Sequence, residues 1–196
     1  MIYTILGILI ILVFYSSYFA KMILQRQQGI RTDRLGRGAK PKYTRNIEIL
    51  LKIATYSMAV SQIVSIATRD YMNLFVYSEI IRYIGAIIGF LGIYIFISAM
   101  VTMKNNWRAG IDSSQKTILT TYGIYKYSRN PAFLGFNLFY IGFTLLFCNL
   151  LQLLLLLLCI SILHMQILEE EKYLELTFDK EYTDYKKSTA RYLLIF

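Results

Sequence analysis

A single histidine, two cysteines and 12 acids against 21 lysines and arginines are what 196 residues offer for polar chemistry. With His164 alone and no clustered cysteines, a metal site lacks ligands, so no metal is expected. No serine, histidine and acid constellation of the hydrolase kind can be assembled either. Cys148 and Cys159 fall in apolar sequence without CxxC or metal spacing and read as small core residues. The charge of +9 does not imply nucleic acid. The basic residues sit beside hydrophobic runs and form no basic surface interleaved with aromatics. The stretch GIRTDRLGRG before Pro41 lacks the Gly-x-x-x-x-Gly-Lys-Ser/Thr order of a phosphate loop. It reads as a cytosolic anchor in contact with anionic lipids. A basic n-region and a small-residue cleavage site are also missing at the N-terminus, so the first apolar run is expected to remain as a span.

What the chain has in excess is hydrophobic sequence, 56% of all residues. Apolar windows fall at about 2–23, 47–67, 80–101, 133–147 and 150–168, several of them close to the roughly 20 residues needed to cross a bilayer. The reading is an all-α integral membrane protein of about five transmembrane helices. The fourth window is short and meets the fifth across Cys148 and Asn149, which suggests a tight helical hairpin. Nothing is left over for a separate soluble domain, so 1–196 is read as one membrane domain. Within it, 1–102 holds three spans and the basic loop 21–46. The remainder, 103–196, holds the hairpin 131–168 and a polar tail.

Charge sets the expected orientation. The first loop carries Lys21, Arg26, Arg31, Arg34, Arg37, Lys40, Lys42 and Arg45 against Asp33, which by the positive-inside rule is cytosolic and leaves the N-terminus outside. The next connection is nearly neutral. The third, with Lys104, Arg108, Lys116, Lys126 and Arg129, is cytosolic again, and the hairpin returns the tail from Glu169 to that same side. The loop 103–130 and the tail can therefore share a site.

Two segments carry candidate chemistry. In LTTYGIYKYSRNPAFLG (119–135), Asn130 followed by Pro131 reads as an N-cap and first-turn pair, the amide oxygen accepting from an orphan helix N–H. That helix start, beside Arg129, would welcome an anion. Tyr122, Tyr125, Tyr127 and Phe133 offer flat surface for an adenine, or equally for the membrane interface. The second segment is Glu169, Glu170 and Glu171 directly after the fifth span, either a solvated face or one wall of a pocket opposite the helix start. His164, one turn earlier, serves packing or function.

The order and spacing of NWRAGID, LTTYGIYKYSRNPAFLG, a hydrophobic hairpin and EEEKYLELTFDKEYTDYKK resemble the isoprenylcysteine carboxyl methyltransferase family, within the wider group that includes phospholipid N-methyltransferases. The likeness covers about 106–192, of a bacterial or archaeal type. It implies S-adenosylmethionine as cofactor, bound by Thr117, Ile118, Leu119, Thr120, Tyr125, Asn130, Pro131, Ala132, Phe133 and Glu170. It also implies methylation of a lipophilic acceptor, isoprenoid or lipid-like, that enters from the bilayer. Asn130 and Phe133 replace the family's histidine and tyrosine, and Gln166 stands where eukaryotic members carry an arginine for the substrate carboxylate. Methyl transfer depends mainly on positioning. If the acceptor needs proton removal, Glu169, Glu170 and Arg129 are the catalytic candidates. Two alternatives stand beside this reading: an NADPH-dependent membrane reductase of the sterol type, whose usual tail cysteine and tryptophan are missing here, and a non-catalytic membrane scaffold.

Overall fold

The computed structural model describes residues 1–68, 78–111 and 118–193. The chain forms helices α1 (Ile2–Gln27), α2 (Lys42–Ala67), α3 (Glu79–Met103), α4 (Pro131–Leu146) and α5 (Leu150–Ser188), with 3₁₀ turns at Lys104–Asn106 and Gly123–Lys126. Among the described residues the β pairing is a single bridge between Asp33 and Ala109. Helices α1, α2, α3 and α5 are long and apolar enough to cross a bilayer. Large apolar side chains such as Leu12, Ile53, Ile87 and Leu157 point outward on these four helices. An apolar surface of that extent is covered by lipid, not water. This is an all-α integral membrane protein.

Helix α4 has only 16 residues, about 24 Å at 1.5 Å per residue, yet it runs against α3 along most of its length. The close crossing rests on missing side chains. A Cβ on Gly92 would sit 2.5 Å from the Phe139 nitrogen and 2.7 Å from the Gly135 carbonyl oxygen, and one on Gly142 would collide with the backbone of Gly89. Between lipid-immersed helices, where apolar burial alone gives little, such backbone approach is what drives packing. At the far end Arg82 donates through Nε to the Leu146 carbonyl at 3.0 Å, which satisfies an orphan acceptor of α4. Phe14 of α1 stacks on Phe139 with ring centroids 3.8 Å apart and closes the core.

Helix α5 pairs with α2 through polar contacts set in the apolar interior. The Asn149 side chain caps α5 by accepting from Gln152 N and donates to Ser65 Oγ at 3.0 Å, while Gln152 donates to Ser61 Oγ at 3.0 Å. Hydrogen bonds of this kind fix the register of two membrane helices. Both cysteines are buried and free, with Cys159 against the Ala54 carbonyl. Past the membrane α5 breaks at Asp179 (φ 42°, ψ −112°). The break turns 180–193 back over the start of α4, where Arg129 N donates to the Ala190 carbonyl at 2.9 Å.

Candidate functional site

The start of α4 is organised by charge, not by a cap. Asn130 occupies the N-cap position and Pro131 the first turn, but the Asn130 side chain makes no capping hydrogen bond. This corrects the cap expected from the Asn-Pro pair. The amide instead donates through Nδ2 to Glu171 Oε1 at 3.1 Å and to the Arg191 carbonyl at 3.3 Å. Glu171 is the hub. Its carboxylate also receives Arg129 (Nη2, 3.2 Å) and Arg191 (Nη2, 2.9 Å). Arg129 further donates to the carbonyls of Lys186 and Thr189. Glu171, Arg129 and Asn130 are all buried. Burial pushes the Glu171 carboxyl up, but hydrogen bonds from Arg191 and the charge of Arg129 outweigh it and hold the group below the usual carboxylate range.

Consecutive positions on a helix point about 100° apart, so the three glutamates do three different things. Glu169 turns to α2, where Thr44 Oγ1 donates to it at 2.6 Å, and to Lys172. Glu171 ties the tail to α4. Glu170 alone reaches open space. Its partner is Gln166, which donates through Nε2 to Glu170 Oε1 at 3.0 Å. Burial raises the Glu170 carboxyl to about 7, against the lowering effect of that hydrogen bond. The carboxyl therefore exchanges its proton near neutrality.

Glu170 lies where two cavities meet. One opens between the third loop and the tail and is lined by Asn106, Trp107, Ile111, Tyr125, Arg129, Asn130, Tyr173, Leu174, Phe178, Tyr182 and Tyr185 among others. Its enclosed part is about 150 Å³, below the roughly 300 Å³ usual for small-molecule sites, so a larger ligand also fills its mouth. The second cavity, about 460 Å³, is an apolar slot between α1 and α2. It runs from Ile11 to Met22 along α1, about 17 Å of helix. That volume over that length suits a single lipid chain. Phe19, Tyr56 and Ile63 line the slot and are also exposed on the lipid face at 52%, 62% and 61%, so the slot opens sideways into the bilayer. Trp107, Arg108, Gly110, Ala132, Phe133 and Glu170 belong to the walls of both.

Of the residues singled out in the sequence, Ile118, Leu119, Thr120, Tyr125, Asn130, Ala132, Phe133 and Glu170 line the first cavity. Gln166, fully buried, lines the second. Pro131 is buried at the first turn of α4 and does not line either; Glu169 faces away; Thr117 lies outside the described residues, as does Lys116 of the third loop. Arg129 reaches the first cavity from within its clamp on the tail. His164 packs on the tail, with Nδ1 2.9 Å from the Tyr192 hydroxyl. The structure adds Trp107, Tyr173, Phe178, Tyr182 and Tyr185 to the cavity lining, and gives Glu171, the third acid of the cluster, the clamp on the tail. Tyr185 and Tyr182 follow the EEEKYLEL motif by an aromatic spacing visible in EYTDYKK, but Trp107 arrives from a loop that no periodicity marks. Among the described residues lining the two cavities, the hydroxyls of Tyr140 and Tyr182 and Gln166 Oε1 are buried without a partner. Unsatisfied groups of this kind are rare in finished structures and mark where a ligand can bind.

Residues 85–176, which take in most of α3, all of α4 and the membrane part of α5 with its glutamates, match the model of the isoprenylcysteine carboxyl methyltransferase family. A protein-S-isoprenylcysteine O-methyltransferase of Saccharomyces cerevisiae is 31% identical over 125 residues, covering 61% of this chain. The chain spans about half, 52%, of that relative's length. The family match runs through the α4 entry and the junction of the two cavities, and both findings make the chain similar to the isoprenylcysteine carboxyl methyltransferase family.

Proposed function

We propose that this protein is an S-adenosylmethionine-dependent methyltransferase of the carboxyl O-methyltransferase kind, acting at the membrane on a lipophilic, single-chain acceptor. The observation that carries the reading is the meeting of a polar, aromatic-lined cavity with an apolar slot open to lipid, at Phe133, Ala132 and Glu170. The residues present fit the cofactor. Tyr125, Tyr173 and Phe178 supply flat surface for a purine, and the unpartnered Tyr182 hydroxyl supplies a hydrogen bond. The first-turn amides of α4 at Ala132 and Phe133 have no intrahelical acceptor and no cap from Asn130, and so suit a carboxylate. Glu170 offers negative charge to a cation at the junction.

When bound, the cofactor supplies an electrophilic methyl group on a sulfonium. The work of the chain's own residues is positioning. The slot holds the acceptor's chain while Gln166 and Glu170 face its head, and the lipid-covered walls exclude water. A carboxylate acceptor needs no base. For a hydroxyl or amine, Glu170 is the group poised to take the proton, since it is largely unprotonated only above about pH 7. Gln166, neutral where eukaryotic relatives carry a cation, widens the acceptor beyond carboxylates. The chain works as one membrane unit with its N-terminus outside and the loops 21–46 and 103–130, with the tail, in the cytosol.

The test is methyl incorporation from labelled S-adenosylmethionine into extracted host lipids, prenylcysteine analogues and free prenyl or acyl chains. Label in a single-chain lipophilic product supports the reading. Label confined to two-chain phospholipids or to none of these contradicts it.

A further inference from the structure

The backbone of 109–111 is the partition between the two cavities, since Ala109 and Gly110 line the slot while Gly110 and Ile111 line the polar cavity. No helix holds it. Two bridge hydrogen bonds attach one end to the first loop, from Arg34 N to the Ala109 carbonyl and from Ala109 N to the Thr32 carbonyl, each 2.9 Å. The other end is held by an acid that lies inside the second apolar window of the sequence. Glu48 of α2 is 0% exposed and accepts the Ile111 N–H at 2.9 Å. Its other oxygen takes the Gly36 N–H at 2.7 Å, and Lys40 Nζ pairs with the same carboxylate at 2.6 Å while also donating to the Arg34 carbonyl. Gly110, at φ +91°, lies so close that a Cβ there would meet Glu48 Oε1 at 3.0 Å.

A buried carboxylate with this many donors has been desolvated for a purpose other than solubility. An apolar pair of similar volume is commonly as stable or more so where no other group depends on the charges, but here the Gly36 and Ile111 N–H groups do. What the carboxylate does that an apolar residue cannot is accept hydrogen bonds from two loops at once.

We propose that Glu48, paired with Lys40, is a positioning residue that pins the backbone of 109–111 between the donor cavity and the acceptor slot. The basic first loop is thereby a support for the site and not only an anchor at the membrane surface. The proposal rests on the reading of the polar cavity as the place where S-adenosylmethionine binds.

The experiment uses the whole 196-residue chain in detergent. The double variant Lys40→Met/Glu48→Met removes both charges together, so no unpaired charge is left buried, and it is expected to fold with an unfolding temperature lowered only by the loss of the acceptor for the Gly36 and Ile111 N–H groups. Two readings are taken on parent and variant: deuterium exchange at the amides of 109–111, and calorimetric affinity for S-adenosylhomocysteine. The expected result is exchange faster by about tenfold or more at Ile111, and affinity weaker by about tenfold. Parent-like exchange in the variant overturns the pinning, and faster exchange with parent-like affinity overturns its role in the site. If the variant does not fold, the parent alone decides: a freely exchanging Ile111 amide overturns the proposal and a protected one supports it. If the parent binds no S-adenosylhomocysteine, the functional reading fails, while the exchange data still judge whether Glu48 pins the partition.

Discussion

Replacing Asn130 by aspartate sets a gain expected from local sequence against a loss imposed by a distant residue. As a helix cap, aspartate would equal asparagine and add about 0.3–1 kcal/mol from the helix dipole. In the structure the amide donates to Glu171 Oε1 at 3.1 Å and to the Arg191 carbonyl at 3.3 Å. A carboxylate has no donors, so both bonds are lost, at about 1–3 kcal/mol for the one to the charged group. It also places a second negative charge some 4 Å from Glu171, which costs about 4 kcal/mol at an effective dielectric of about 20. Arg129 and Arg191 offset part of that. The net expectation is a loss of about 3 kcal/mol, against about 1–2 kcal/mol for Asn130→Ala, which removes the donor without adding charge. Asn130→His keeps a donor and should lie close to the parent. The sign of the pH dependence follows. An aspartate beside Glu171 has its folded pKa raised, so its deficit is small at low pH and grows as pH rises toward neutrality. Thermal unfolding in detergent at pH 5 and pH 8 reads both quantities. An aspartate variant that unfolds at or above the parent temperature at pH 8 would refute the Glu171 network and restore the cap.

Glu170→Gln should weaken S-adenosylmethionine binding by about tenfold while Glu175→Gln, on the exposed side of the tail, leaves it unchanged; equal effects would return the acids to a solvated face. Gly92→Leu and Gly142→Leu should each prevent the α3–α4 crossing and abolish folded protein on size-exclusion in detergent, whereas Gly38→Leu, strained only locally at φ +85° and with no atoms within 4 Å of its missing Cβ, should leave the bundle assembled. A cysteine introduced at Gly38 should react with impermeant maleimide only after the membrane is opened; labelling of intact cells would invert the orientation, and native Cys148 and Cys159, being buried, should not contribute.

How far the sequence could be read depended on whether the interaction was local. The four long spans are legible because hydropathy over 20 residues depends on the residues themselves. The shortness of α4 is legible too, from the length of its apolar run. That α4 still packs along α3 was not, since it rests on Gly92 meeting Gly135 across 43 positions. At the candidate site, the motif pointed to a loop and a cluster of acids that the structure brings to one cavity, through Glu170 among the acids. It could not separate Glu169, Glu170 and Glu171, because a one-residue step turns a helix by about 100° and only tertiary packing says which side faces the cavity. Asn130 was misread for the same reason: an Asn-Pro pair specifies a cap until a buried carboxylate 41 positions later outbids the backbone amide. Glu48 was hidden inside an apolar window, and its partners at Gly36 and Ile111 lie in two different loops.

The central claim is that the polar cavity holds S-adenosylmethionine with Glu170 at its reactive end, and one calorimetric comparison bears on it most directly. S-adenosylmethionine carries a sulfonium charge that S-adenosylhomocysteine lacks, and Glu170 becomes ionised as pH rises through about 7. The ratio of their affinities should therefore favour S-adenosylmethionine increasingly from pH 6 to pH 8 in the parent, by up to about tenfold, and stay flat in Glu170→Gln. A ratio independent of pH in the parent, or saturable NADPH binding with no response to either sulfur ligand, would contradict the account.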